Sequence, residues 1–311
     1  MLGAVLLWGP PSLLLIGVLT RPAQCTCTLH IKATSARARG IGKETAKYLA
    51  KLGAKVYLTG RNPTNAESVA AEIIRDTGNP EVFGLELDLR DFKSVKSIAQ
   101  QFLVKESQLH ILANNAGMTA GSNEIRRLSS GLEQTMASNY YGHFLLTQLA
   151  LEHLKTSAPS RIVNVSAMGH RFSKLEDLNY QNRKFTVLGA YCDSKLANIL
   201  FTKELAHRLR DAGVTANSLH PGVVATNIFR RAPRWSQPII DFCFKPFIKS
   251  NFEGAQTIIY LAASTDVEHV SGEYFEECKL TALGSLAAVD SRLAKELWLK
   301  TEEFFKKSKL Y

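Results

Sequence analysis

Two side chains that can move protons stand four residues apart in the segment Tyr191-Cys192-Asp193-Ser194-Lys195. On a helix this spacing places Tyr191 and Lys195 on the same face. An ammonium group beside a phenol favours the phenolate, and therefore lowers the phenol pKa from its ordinary value of about 10. A phenol tuned in this way can be the general acid or base for the proton of an alcohol. The pair predicts proton-transfer chemistry near the start of a long helix.

A small-residue turn near the N-terminus predicts a phosphate site. The run Ser35-Ala36-Arg37-Ala38-Arg39-Gly40-Ile41-Gly42 follows a predicted strand and opens a predicted helix. In such a turn, backbone N–H groups and the helix N-terminus can meet a pyrophosphate, and glycines allow its close approach. The residues predicted to bind a dinucleotide here are Ala36, Arg39, Gly40, Ile41 and Gly42.

Residues at the ends of the next three predicted strands extend the dinucleotide prediction. Arg61 follows the glycines by about 20 residues, where an Arg accepts the 2′-phosphate of NADP(H) and an acidic residue would bind the ribose of NAD(H). Asp88 ends the third strand, where its carboxylate can meet an adenine amino group. The turn Asn115-Ala116-Gly117 follows the fourth strand. The expected cofactor is NADP(H).

From about residue 28 onward, short β-rich runs alternate with longer helical patterns, which predicts βαβ units and a parallel sheet. The predicted strands are Leu29–Thr34, Lys55–Thr59, Val82–Leu87, His110–Ala113, Arg161–Val165, Val214–Ser218 and Gly272–Phe275. The predicted helices are Lys43–Leu52, Ala66–Arg75, Phe92–Leu103, Leu132–Leu154, Ala190–Arg210 and 288–306. The fold class is therefore α/β, a doubly wound, Rossmann-type parallel sheet in a single domain with an N-terminal apolar anchor segment.

The N-terminus has a different character. Residues 2–20 contain no charged side chain, and about 20 apolar residues are enough to span a bilayer. Pro10 and Pro11 interrupt the stretch, so a kinked span, a re-entrant loop, a cleaved signal and a buried helix all stay open. Because the first basic residues follow it, the positive-inside rule places the remaining chain in the cytosol. We predict a membrane anchor at residues 1–24 and the catalytic domain at residues 25–311.

Residues 228–255 also mix basic and aromatic side chains, around Pro233, Pro238 and Pro246. Such a segment can cover an apolar substrate pocket and touch a membrane interface. An irregular helical insertion packed on the core is the alternative.

Charge and cysteine usage exclude other classes of function. The net charge of +10 suits nucleic acid, an anionic membrane surface or an anionic cofactor. We predict no nucleic-acid binding, because the chain has no zinc finger, basic-region heptad or RNA-binding aromatic signature. Five cysteines without repeated spacing indicate reduced thiols, and Cys25 and Cys27 stand too close for a usual zinc clamp. No metal site is expected.

Read in order, these motifs resemble the short-chain dehydrogenase/reductase superfamily from about residue 28 to the end. The motifs are Gly40-Ile41-Gly42, Asn114-Asn115-Ala116-Gly117, Asn139-Tyr140-Tyr141-Gly142-His143-Phe144, Arg161-Ile162-Val163-Asn164-Val165-Ser166, Tyr191 with Lys195, and His220-Pro221-Gly222. The runs 158–166 and 194–201 are similar to the membrane-bound retinol dehydrogenase branch. That resemblance implies NADP dependence, an apolar alcohol or aldehyde substrate such as a retinoid, and a place in lipid metabolism.

The resemblance also implies roles, a location and an assembly. Tyr191 becomes the general acid or base, Lys195 holds the nicotinamide ribose, and Asn139 anchors a water of the proton relay. The residues implied to line the nicotinamide pocket are Pro221, Gly222 and Thr226. The protein is expected at the endoplasmic reticulum membrane with its domain facing the cytosol, or in the lumen or secreted if residues 1–24 are cleaved. A homodimer would pair through the helices around residues 132–154 and 190–210.

Two positions depart from the family pattern. Ala36 stands where the phosphate turn has a glycine, and Ala167 stands where these enzymes carry the second serine of a Ser-Ser pair. Ser166 is not expected to substitute, because adjacent strand side chains point to opposite faces. The main hypothesis is an NADP(H)-dependent alcohol dehydrogenase or carbonyl reductase. The alternative is a catalytically impaired relative that binds a nucleotide or lipid, or scaffolds a partner.

Overall fold

The computed structural model describes residues 26–30, 40–224 and 249–308. The strands are β1 Thr26–His30, β2 Lys55–Gly60, β3 Val82–Glu86, β4 Ile111–Asn114, β5 Ser160–Val165, β6 Val214–His220, β7 Tyr274–Glu276 and β8 Lys279–Leu280. The helices are α1 Ile41–Lys51, α2 Pro63–Thr77, α3 Phe92–Lys105, α4 Gly142–Thr156, α5 Val187–Arg208, α6 Asn251–Ala263, α7 Leu286–Val289 and α8 Ser291–Lys307. Strands and helices alternate, as the sequence pattern predicts.

The strands form one sheet in the order β3-β2-β1-β4-β5-β6-β7-β8. All neighbours from β3 to β7 are parallel, and only β8 runs antiparallel to β7. The order reverses direction between β1 and β4, so the helices that follow these strands leave on opposite faces. The prediction of a doubly wound parallel sheet is confirmed, and ligands of such sheets bind at the carboxyl ends of the strands on either side of this switch point.

Three predicted elements differ from the structure, one of them the helix predicted over 288–306, because α7 ends at Val289 and α8 begins at Ser291. The first strand is Thr26–His30 and overlaps the predicted Leu29–Thr34 by only two residues, because pairing sets its position, with Thr26 opposite Lys55. The helix predicted over Leu132–Leu154 consists of a helical turn at Gln134–Met136, a π-helical turn at Ala137–Tyr141 and then α4. Such π-turns inside helices are frequent at functional sites, and this one carries Asn139.

Glycine allows the close packing that fixes this π-turn. A Cβ atom on Gly142 would lie 2.4 Å from the carbonyl oxygen of Leu89, a distance that no side chain tolerates. Gly142 therefore lets the start of α4 contact the chain directly after β3. The contact brings the π-turn to the carboxyl edge of the sheet.

Each face of the sheet has its own apolar core. On one face, α1, α2 and α6 pack Leu49, Ile73 and Ile258 against the strands. On the other face, α3, α4, α5 and α8 bury a larger cluster that includes Phe144 and Phe201. Each fully buried aromatic side chain of this kind contributes about 1.5–3 kcal/mol by leaving water. Burial on both faces holds the strand ends in fixed positions.

The last helix covers the two helices that the family resemblance assigns to a homodimer. The Trp298 ring of α8 lies 4.9 Å from Phe144 of α4 and 5.8 Å from Phe201 of α5, measured between ring centroids. The hydroxyl groups of Tyr140 and Thr301 are 2.8 Å apart and form a hydrogen bond. The homodimer stays a prediction, and these aromatic side chains are already buried within one chain.

The N-terminal segment 1–24 and most of residues 228–255 lie outside the described residues. Within the described ranges, no helix combines the length and the apolar character needed to cross a membrane. The predicted anchor and the predicted cover of the substrate pocket therefore stay predictions.

Candidate active site

The first helix presents its N-terminus beside the switch point of the sheet. Gly40 is its N-cap, and in the described part of the chain no side chain caps this eleven-residue helix. Ile41 packs against Gly254 of α6, since a Cβ atom on Gly254 would lie 3.2 Å from Ile41 Cγ1. Uncapped N–H groups at a helix N-terminus are suited to a phosphate. Gly40, Ile41 and Gly42 therefore fit the predicted pyrophosphate site, whereas Ala36 and Arg39 lie outside the described residues.

Arg61 and Asp88 lie at the carboxyl ends of β2 and β3, where the sequence places them. Arg61 is exposed and follows β2 directly. Asp88 accepts hydrogen bonds from Arg90, with Arg90 Nη2 2.6 Å from Oδ2 and Nε 3.0 Å from Oδ1. Burial raises the pKa of this carboxyl, but the Arg90 guanidinium and amide outweigh burial and hold the pKa below its ordinary value. Asp88 is thus an anion already bound by Arg90, and its contact with an adenine stays a prediction.

The Asn-Asn-Ala-Gly turn after β4 meets the π-turn and α5. Asn139 Oδ1 accepts from the Met118 amide at 2.8 Å, and Asn139 Nδ2 donates to the Met118 carbonyl at 2.9 Å. A Cβ atom on Gly117 would lie 3.4 Å from Lys195 Nζ and 3.9 Å from Asn139 Oδ1. The turn of Asn115, Ala116 and Gly117 therefore ends beside two predicted catalytic side chains, Lys195 and Asn139. The role of Asn139 in anchoring a water stays a prediction, because its amide group binds the Met118 backbone.

Lys195 is buried against the end of β5. Its ammonium donates to the carbonyl oxygen of Val165 at 2.9 Å, and Asn198 Nδ2 donates to the same oxygen at 3.1 Å. Ser166 Oγ donates to the Lys195 carbonyl at 2.7 Å, so the Ser166 hydroxyl binds the backbone of α5. This contact is consistent with the prediction that Ser166 does not replace the family serine. Ala167 occupies the next position with extended backbone and offers no hydroxyl.

Tyr191 lies beside Lys195 and is half-buried. Lys195 Nζ lies 5.6 Å from the centroid of the Tyr191 ring. Burial raises the pKa of Tyr191 to about 12, and the neighbouring Cys192 adds to the increase. The predicted lowering of this pKa is therefore wrong for the structure, because the Lys195 ammonium binds the Val165 carbonyl and burial dominates. At neutral pH Tyr191 is a protonated phenol, which is the form needed by a general acid.

The turn after β6 borders the same edge of the sheet. Pro221 and Gly222 follow His220, and Gly222 has a φ of 85°, which favours glycine. A Cβ atom on Gly222 would lie 2.7 Å from Lys249 Cδ, so the residue also allows a close approach of two chain segments. Thr226, the third predicted residue of this pocket, lies outside the described residues.

Several polar residues that sequence reasoning missed hold the site together. Ser194 Oγ accepts from Asn139 Nδ2 at 3.0 Å and donates to the Tyr191 carbonyl at 2.7 Å, so it joins two predicted catalytic residues. Asn114 donates to Asn164 Oδ1 at 2.8 Å, and Asn164 donates to Thr202 of α5 at 2.9 Å. The asparagines of three quoted motifs, Asn114, Asn139 and Asn164, were visible in the sequence. Their partners were not, because the pairs are 33 to 55 residues apart.

The geometry defines a dinucleotide-type α/β domain with a Tyr–Lys pair at the switch point. The family described as short chain dehydrogenase matches residues 34–237, which include Gly40, Asn139, Tyr191 and Lys195. The chain belongs to this family of oxidoreductases, which use nicotinamide cofactors.

Individual relatives share most of the chain. Retinol dehydrogenase 11 from Mus musculus is 47% identical over 262 residues, which cover 83% of this chain and 81% of that protein. Retinol dehydrogenase 12 from Bos taurus is 45% identical over 260 residues and covers the same shares, 83% and 81%. Among solved structures, an uncharacterized protein from Mycobacterium paratuberculosis is similar with a TM-score of 0.69, 30% identity, and coverage of 91% of this chain and 93% of that one. The chain thus lies in the retinol dehydrogenase branch of its family.

Proposed function

We propose that the protein is an NADP(H)-dependent oxidoreductase that interconverts an apolar alcohol and its aldehyde, with a retinoid as the substrate class. The single observation that carries the proposal is that Lys195 and Asn139 meet beside the Gly117 turn at the switch point, with Tyr191 next to Lys195. The names of the relatives, retinol dehydrogenases 11 and 12, support the choice of substrate.

The cofactor would be held along the carboxyl edge of the sheet. The uncapped N-terminus of α1 at Gly40–Gly42 would bind the pyrophosphate, and Lys195 would hold the nicotinamide ribose. Arg61 supports NADP(H) over NAD(H). Its exposed guanidinium at the end of β2 can bind a 2′-phosphate, because the two groups carry opposite charges. When bound, the nicotinamide supplies or accepts the hydride.

The chain itself handles the proton. In the reducing direction, the Tyr191 hydroxyl donates its proton to the carbonyl oxygen of the substrate as charge develops there. In the oxidising direction, the proton moves the other way, from the alcohol to the Tyr191 oxygen. The positive charge of Lys195, 5.6 Å from the centroid of the Tyr191 ring, favours the phenolate left after proton transfer.

The location proposed for the protein is a membrane. The support is the uncharged stretch of residues 2–20, which has the length of a bilayer span. An anchor of this kind would keep the domain next to a substrate that partitions into lipid, with the domain on the cytosolic face of the endoplasmic reticulum.

A second candidate function rests on Ala167. The neighbouring Ser166 hydroxyl is committed to the Lys195 carbonyl, so neither residue offers a hydrogen bond to the reacting oxygen. Loss of one such donor slows related reactions by roughly 10²–10³. On this hypothesis the chain binds a nucleotide or lipid without useful turnover.

One experiment separates the two candidates. The full chain is purified in mild detergent, NADPH binding is followed by cofactor fluorescence, and loss of all-trans-retinal is followed by absorbance. The proposed function predicts NADPH-dependent loss of retinal by the wild type and none by Tyr191→Phe with the same NADPH affinity. NADPH binding without turnover in the wild type, and turnover only in Ala167→Ser, would establish the second candidate instead.

A further inference from the structure

A buried carboxylate lies on α5 between the two catalytic residues. Asp193 has only 1% of its surface exposed. It accepts hydrogen bonds from three side chains that follow β5, namely Ser173, Tyr180 and Arg183. An unpaired carboxylate is very costly to bury, so these three donors and the Arg183 charge are needed to keep Asp193 in place.

On α5, the Asp193 side chain points in a different direction from the side chains of Tyr191 and Lys195. It is two residues from Tyr191 and two from Lys195, and two residues correspond to about 200° of rotation on a helix. Lys195 therefore binds the end of β5, whereas Asp193 binds the loop of residues 173–186 on the other side of α5. Within one turn, α5 is thus bound both to the sheet and to the loop of residues 173–186.

The contacts of Asp193 contribute to the conformation of the loop of residues 173–186, beside the hydrogen bonds that Arg127 and Asn179 make there. Leu175 and Tyr180 have positive φ values of 57° and 55°, which side chains other than glycine rarely adopt. The Arg183 guanidinium stacks on the Tyr180 ring at 4.2 Å and donates to the Asp177 carbonyl at 3.0 Å. Asp193 is the acceptor common to Ser173, Tyr180 and Arg183, so its carboxylate ties together both ends and the middle of the loop.

The loop also borders Tyr191. It starts at the end of the 3-10 turn Met168–Phe172, in which a Cβ atom on Gly169 would lie 3.8 Å from the Tyr191 ring. It ends at Thr186, the N-cap of α5, five residues before Tyr191. Tyr180 and Phe185 of the loop form an apolar cluster with Ala120 and Ala190. The rim nearby is apolar as well, with exposed side chains at Met168, Phe172 and Leu188.

From this arrangement we infer that Asp193 is a positioning residue that holds the loop of residues 173–186 as the wall of the site against which the long apolar part of the substrate binds. The inference rests on the proposed function. Asp193 touches neither substrate nor cofactor in this role. It acts on substrate affinity and leaves the proton transfer by Tyr191 unchanged.

The test compares Asp193→Asn with a matched control, Glu204→Gln. Glu204 is a second nearly buried carboxylate on α5, and within the described residues its Oε1 pairs with Arg208 Nε, at 2.7 Å. With the full chain in detergent and NADPH, Asp193→Asn should raise KM for all-trans-retinal about tenfold and change kcat by less than about threefold, because uniform binding is lost. KM for butanal and the pH profile should stay as in the wild type. Glu204→Gln should change none of these values.

Hydrogen exchange supplies a second measurement that needs no turnover. Peptides covering residues 173–186 should exchange about tenfold faster in Asp193→Asn than in the wild type, since the loop opens more often. All-trans-retinal should slow their exchange in the wild type and have little effect in the variant. Tyr180→Phe, which removes one donor and keeps the carboxylate paired with Arg183, should give a smaller change in the same direction and serves if Asp193→Asn does not fold.

Three results would overturn the inference. They are an unchanged KM for retinal together with unchanged exchange, an equal loss of kcat for retinal and butanal with a shifted pH profile, or the same changes in Glu204→Gln. If the wild type reduces neither aldehyde, the proposed function fails, and the effect of retinal on exchange of residues 173–186 alone decides the role of Asp193.

Discussion

The two halves of the carboxyl edge hold their polar groups differently. In the half that follows β2 and β3, Arg61 is exposed and Asp88 pairs with Arg90 two residues away. In the half formed by the π-turn, α5 and the end of β5, Asn139, Ser194 and Lys195 are almost fully buried and bind partners far along the chain. The charged groups of the first half are accessible to solvent, so a charged ligand can replace water there. The second holds a few groups rigidly, which a reaction with a defined geometry needs.

This difference predicts which property of the protein a substitution in each half should change. Exposed ion pairs contribute little to stability, whereas a buried polar group that loses its partner is costly. Changes in the half near β2 and β3 should therefore alter cofactor choice with little effect on folding. Changes in the buried half should alter turnover, stability or both.

The largest effect is expected from Tyr191→Phe. Removal of the hydroxyl removes the general acid but keeps the aromatic ring, so kcat for aldehyde reduction should fall by about 10³ or more. NADPH affinity, measured by fluorescence titration, should stay within a factor of two. A variant that keeps more than about a tenth of wild-type turnover would show that another group supplies the proton.

The second largest effect is expected in the buried half, where a fall in pH should lower the free energy of unfolding. Burial lowers the pKa of His143 to about 4, with a smaller contribution from the charge of Lys195, and the hydrogen bond to the Asn139 carbonyl only partly opposes this. The unfolded chain binds a proton near pH 6.5, so the stabilisation is present above pH 6.5 and is lost as the pH falls toward 4. His143 should account for about 2 kcal/mol of the lost free energy of unfolding between pH 7 and 4.5.

The measurement is chemical denaturation of His143→Gln at both pH values, since glutamine can still donate to the Asn139 carbonyl. The wild type should lose more stability than the variant over this interval. The control is Glu72→Gln, which removes the partly exposed ion pair with Lys43 in the other half and should change stability by less than about 1 kcal/mol at either pH. An equal pH dependence of wild type and His143→Gln would contradict the assignment.

The third largest effect is expected from Arg61→Glu, a substitution in the half near β2 and β3. A carboxylate in place of the exposed guanidinium should repel a 2′-phosphate, so the ratio of kcat/KM for NADPH to that for NADH should fall about 30-fold. The melting temperature should stay the same, because Arg61 is exposed. An unchanged ratio would place the 2′-phosphate elsewhere, for example at Arg37 or Arg39.

The smallest effect is expected from Ala167→Ser. A hydroxyl added beside the reacting oxygen should raise kcat about tenfold, less than the full contribution of such a donor because the backbone of this chain is adapted to alanine. Ala167→Val, which adds bulk without a donor, is the matched control and should not raise kcat. A decrease in kcat for Ala167→Ser would indicate that the position no longer faces the substrate.

The periodic parts of the fold were predictable from the sequence, and the first strand was not. The helix predicted over Ala66–Arg75 is α2, which begins three residues earlier, at Pro63 after the N-cap Asn62, and ends at Gly78 with a φ of 73°. The position of β1 depends on its pairing with β2 and β4, which no local signal carries. The π-turn at Ala137–Tyr141 was missed for a similar reason, because it depends on the contact of Gly142 with Leu89.

The sequence by itself determined the order of the elements, the family and the residues that stand at the strand ends, because these follow from the residue types and their spacing along the chain. Only the tertiary structure decided which groups those residues bind. It places the Lys195 ammonium on the Val165 carbonyl, the Ser166 hydroxyl on α5 and Asp193 in the loop of residues 173–186. It also reversed the expected direction of the Tyr191 pKa. The physical reason is that burial and hydrogen bonds between distant residues set these properties, and both arise only when the chain is folded.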